Sequence, residues 1–68
     1  MNNPLKILIK VDPKDIAFLT KIFEGYDGLA VVSTLDREKG LVALTVTPET
    51  KEDVLEILRN FPKTIIFT

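Results

Sequence analysis

The side chains in this sequence that could do chemistry are almost all carboxylates and amines. Ten Asp and Glu stand against nine Lys and Arg, with no Cys and no His. Without thiol or imidazole there is no cysteine nucleophile, no imidazole base, and no donor set of the usual zinc, copper or haem kind. Acid–base catalysis would have to come from a carboxylate whose pKa is raised by burial. None of Asp12, Asp15, Glu24, Asp27, Asp36, Glu38, Glu49, Glu52, Asp53 and Glu56 lies in an apolar run that would do this. No carboxylate spacing argues for a Mg²⁺ or Ca²⁺ site, and no Gly-rich phosphate loop is present. The expectation is a protein that is not an enzyme, with no catalytic residue, metal or cofactor.

One segment offers a foothold for a ligand. Val11-Asp12-Pro13-Lys14-Asp15 joins an alternating apolar segment to a helical pattern, and helix N-terminal N–H groups can receive a carboxylate or phosphate. The candidate binding residues are Asp12, Lys14 and Asp15, with Tyr26 in the loop after the helix. A purely structural reading competes. Asp12 can cap the helix, Pro13 suits its first position, and Asp15 complements the dipole. Two acidic groups would also repel an anion. Glu52 and Asp53 have the same first-turn explanation in a second helix, and Glu52, Glu56 and Arg59 read as its solvated face.

The elements that would position these groups follow from periodicity. Leu5, Ile7, Ile9 and Val11 alternate with Lys6, Leu8 and Lys10, the pattern of a strand with one buried face, starting after Pro4. Ile16, Leu19 and Phe23 form a helical stripe that Phe18 and Ile22 widen. Gly25 is expected just past the helix end, with Asp27-Gly28 making the turn. Leu29 to Leu35 is uncharged and β-branched, a second strand. Asp36 to Gly40 is a polar loop, and Leu41 to Thr47 completes a hairpin. Pro48-Glu49 stops that strand. Thr50 with Asp53 resembles a capping box opening a helix with the stripe Val54, Leu55, Leu58 and Phe61, Ile57 at its margin. Residues 63–68 form the last strand.

The order is strand-helix-strand-strand-helix-strand in one domain over residues 1–68. Right-handed crossovers put both helices on one face of the sheet. The fold class is α+β, a ferredoxin-like βαββαβ sandwich with a four-stranded antiparallel sheet in the order 4-1-3-2.

Helices on one side leave the other side of the sheet open, where Lys6, Leu8, Lys10, Ala43, Thr45 and Thr47 are expected. RNA-binding versions of this fold stack bases on aromatics of the central strands, and neither central strand has one. Two lysines in a chain of net charge -1 make a weak footprint for nucleic acid. The second strand is different. Its residues Leu29, Val31, Val32, Ser33 and Leu35 form an edge without charge or proline, and such edges invite pairing. A homodimer through this strand is expected, extending the sheet to eight strands. Its alternative is a covered edge, by residues 25–28 or a chain end. Small size favours the pairing, since below about 70 to 80 residues one core rarely leaves more than ~3–5 kcal/mol.

Residues 7–19, with Val42 to Val46 and Glu52 to Leu58, resemble the ACT-type regulatory domain across nearly the whole chain. The resemblance implies side-by-side pairing, sensing of an amino acid near the first strand–helix turn, and regulation of an attached enzyme; the expected partners of this chain are a second copy and a small molecule or a protein. The family's turn typically has Gly after Pro, whereas Lys14 and Asp15 follow Pro13 here. The chain also looks like the short bacterial proteins grouped as domains of unknown function. An accessory nucleic-acid-binding module is the alternative function. Residues 1–4 do not read as a secretory signal, and no uncharged stretch approaches the ~20 residues that cross a bilayer. The expected location is the cytoplasm, without membrane contact.

Overall fold

The structure, a computed structural model, describes residues 5–26 and 28–68. The expected start at Pro4 and the Asp27 half of the expected turn lie outside the described residues. Strand β1 runs Leu5–Val11, as its alternation predicts. Ile7, Ile9 and Val11 are buried, while Leu5, on the same face, reaches the rim and is 37% exposed. A single 3₁₀ turn, Pro13–Asp15, then leads into α1, Ile16–Glu24. Strands β2 (Val31–Asp36) and β3 (Leu41–Val46) form the hairpin. Helix α2 spans Lys51–Arg59, and β4 is the short strand Ile65–Phe67.

The four strands make one antiparallel sheet in the order β2-β3-β1-β4, which is 4-1-3-2 read from the other side. The registers put Leu5 opposite Val46 and Lys10 opposite Leu41, with β4 pairing only Ile9 to Val11. Parity of the pleat then decides what is buried. Ile7, Ile9, Val11, Val42, Leu44 and Val46 turn towards the helices. They meet Ile16, Leu19 and Phe23 from α1, and Val54 and Leu58 from α2, in one core cluster. Phe18 stays 42% exposed, so it widens the α1 stripe only at its outer margin.

Strand β4 is shorter than the expected 63–68, and β2 runs on into Asp36, a residue expected in the loop. Three further local expectations change. Gly25 ends α1 in the right-handed region (φ -76°), donating to Ile22 O and Lys21 O at 3.1 and 3.2 Å. The tightened last turn satisfies those carbonyls without a left-handed residue, and the reversal falls at Gly28 (φ 74°). Thr50 also differs, since it makes no side-chain cap for α2. Thr47 is the cap instead. The Thr50 N–H donates to Thr47 Oγ1 at 3.3 Å, and the Thr47 N–H donates to Thr50 Oγ1 at 3.0 Å. This reciprocal box begins three residues earlier than expected, with Pro48 at the position where a missing N–H does no harm. Thr47 accordingly lies beyond β3. Lastly, β2 starts at Val31. Leu29 and Ala30 precede it, half-buried against the core.

Candidate functional site

The first strand–helix turn satisfies its own donors. Lys14 N–H donates to Asp12 Oδ1 at 3.1 Å, Asp15 N–H to Asp12 O at 2.8 Å, and Ile16 N–H to Pro13 O. These are the N–H groups that would otherwise meet an anion, so Asp12 occupies the place with its own side chain. Asp15 is buried (8% exposed) beneath the turn, while Asp12 and Lys14 are exposed. Tyr26 does not join them. It stands beyond the far end of the nine-residue α1, at ~1.5 Å rise per residue. The structure thus brings Asp12, Lys14 and Asp15 into one turn and leaves Tyr26 elsewhere. Beside the turn, Lys10, Asp12, Thr64 and Ile66 line a shallow hollow of about 280 Å³.

Tyr26 instead lines a larger groove between the two helices, about 480 Å³ in volume. Ile22, Ile57 and Phe61 supply its apolar walls, and Glu56 and Asn60 its polar side. Phe61 in turn packs against Phe18, with ring centroids 5.5 Å apart and planes tilted by 41°. Sequence reasoning missed this groove, because Ile22 and Ile57 looked like margins of two separate stripes. The one available signal was that both margins carry an extra apolar residue.

The edge strand β2 is laid out by the ladder. Val11 N–H bonds to Gly40 O at 2.9 Å, and Thr68 N–H to Leu8 O at 3.0 Å. Odd-numbered β1 residues therefore bond towards β3 and even-numbered ones towards β4. Alternation carried across the sheet turns the backbone groups of Val32 and Thr34 outwards, away from β3. Val31 (65%) and Leu35 (54%) are exposed apolar side chains, and Ser33 is exposed between them. Val32 is half-buried against the core, as is Leu29. The register shifts between Thr34 and Asp36, a bulge that leaves Leu35 without a partner. The clean edge is thus Val31 to Thr34, shorter than the expected Leu29 to Leu35.

On the open face of the sheet, Lys6, Leu8 and Lys10 are exposed. Ala43 is buried there (1% exposed), flanked through the registers by Leu8 and Ser33. Ile66, opposite Lys10, adds an exposed apolar side chain to this face. No aromatic stands on the central strands, so the base-stacking platform of RNA-binding versions of this fold is absent from the described residues. No three carboxylates converge among the described residues, and no described helix is long and apolar enough to cross a membrane.

Comparison with curated proteins found no match. Comparison with solved structures found none either. A family model does match, over residues 9–65, from the middle of β1 into the start of β4, so that both helices and the β2–β3 hairpin fall inside it. The chain therefore belongs to the family described as a domain of unknown function, DUF4911.

Proposed function

We propose that this chain is a non-catalytic, ACT-like module that works in the cytoplasm as a homodimer, two copies joined side by side through β2. The pair presents a surface to a small ligand, such as an amino acid, or to a protein partner. The observation that carries the pairing is the exposed apolar pair Val31 and Leu35 on an edge with no charge or proline between them. Such an edge offers unpaired backbone groups to a second strand. A two-fold axis at Ser33 would set Val32 opposite Thr34 of the partner subunit, and Thr34 opposite Val32 of the partner subunit. Both outward-turned residues then bond on each side, and Val31 comes beside Leu35 of the partner subunit.

Sedimentation velocity across the micromolar range tests the pairing. The wild-type chain should sediment as a dimer, and the double variant Val31→Lys, Leu35→Lys as a folded monomer by circular dichroism. A wild-type monomer at every concentration, or a double variant that still pairs, would overturn the reading. Thermal shift against the amino acids tests the ligand. The competing reading, an accessory nucleic-acid module, has Lys6 and Lys10 on the open face in its favour. Salt-sensitive retention on heparin would support it over the first.

A further inference from the structure

The groove between α1 and α2 goes beyond this reading, since none of its lining residues lies on β2. We infer that it is a binding site for a small organic cation with a flat apolar body, an arylalkyl amine in chemical class. Three features point to that chemistry. The volume, about 480 Å³, falls within the ~300–1,000 Å³ of small-molecule sites. The walls are Ile22, Ile57 and Phe61, with Tyr26 half-exposed at one end, so a planar ring finds apolar and aromatic surface.

The polar side of the groove offers acceptors and little else. The Asn60 amide nitrogen donates to Glu56 Oε2 and to the Glu56 backbone oxygen, each at 2.9 Å. The amide nitrogen is thereby turned to Glu56, and the Asn60 oxygen has no donor among the described residues. Among the described residues, Glu56 is the one charged side chain lining the groove. The C-terminal end of α2 adds the negative pole of its dipole at Asn60. The faces of Phe61 and Tyr26 attract cations as well. An anion would meet the Glu56 carboxylate and find few free donors.

Arg59 is the competitor. Its guanidinium lies 3.7 Å from Glu56 Oε1, with both side chains more than half exposed. Such a pair is weakly held in water, so a ligand ammonium can take its place while the ring fills the groove.

The test is a heteronuclear NMR titration of the full chain with tryptamine, and with indole-3-propionate as the matched anion. Tryptamine should give saturable shifts at Ile22, Tyr26, Ile57 and Phe61 with a Kd near or below about 1 mM. The carboxylate should bind at least roughly tenfold more weakly. Glu56→Gln should weaken tryptamine by about tenfold, and Arg59→Ala should tighten it. Shifts that do not saturate, shifts centred elsewhere, equal binding of the anion, or indifference to both substitutions would each overturn the assignment.

Discussion

Gly40 lies directly against the backbone of Val11. The Val11 N–H donates to the Gly40 carbonyl at 2.9 Å, and a β-carbon on Gly40 would overlap the Val11 carbonyl oxygen and stand 2.9 Å from its carbonyl carbon. Gly40 also has φ 72°. The end of the β2–β3 hairpin is thus seated on the turn that carries Asp12, Lys14 and Asp15, and only a residue without a side chain fits there.

Gly40→Ala should therefore be far more damaging than Gly28→Ala. Gly28 has nearly the same φ but open space around it. Its substitution should cost about 1–2 kcal/mol for the left-handed backbone alone. Gly40→Ala adds the collision with Val11 and should leave the domain largely unfolded. Urea denaturation of the two variants checks this, and similar losses would refute the close seating.

The Thr47–Thr50 box predicts a coupled pair. Thr47→Ala should lose about 1 kcal/mol, and the double variant should lose less than the sum of the singles, because both residues share the same bonds. Asp53→Ala should show no coupling to Thr50. A double-mutant cycle by urea denaturation measures both.

Leu19 is fully buried in the middle of the core. Leu19→Ala should cost about 2–5 kcal/mol, comparable with the ~3–5 kcal/mol that a domain of this size has in reserve. Far-UV circular dichroism at 25 °C should show mostly unfolded chain, and a cooperative transition well above that temperature would contradict the prediction.

Phe18 packs on Phe61, one of the residues lining the inter-helix groove. Their coupling should be about 0.5–1.5 kcal/mol in a cycle of Phe18→Ala and Phe61→Ala. A coupling near zero would mean that the rings are neighbours without being partners.

Strand β1 could be read to the residue because its alternation is uninterrupted and nothing in it favours a turn. The helix stripes were legible for the same reason, since Leu19 and Val54 have no alternative face. Helix ends were harder. Pro48 looks like the stop of a strand, and its second meaning, the first position of a helix capped by Thr47, depends on a hydroxyl exchange that spacing alone does not reveal. Gly25 followed by Gly28 allowed two places for the left-handed turn. The bulge at Leu35 left no trace in Val31 to Leu35, all of which suit a regular strand. The groove was invisible because its walls come from two helices whose margins meet only after packing, and Tyr26, rightly expected in the loop after α1, was grouped with a turn at the other end of that helix.

The two sides of the sheet are unequal, and this bears on how far assembly could go. Along β1, the outer neighbour β4 pairs at only three positions, so that margin is a poor template for another strand. On the opposite margin the kink after Thr34 breaks the row of regular pairing. A mate that docked there would use up the longer of the two described margins in both molecules. Growth would then halt at a closed pair, and a chain rich in β-branched residues would be kept from stacking into fibres.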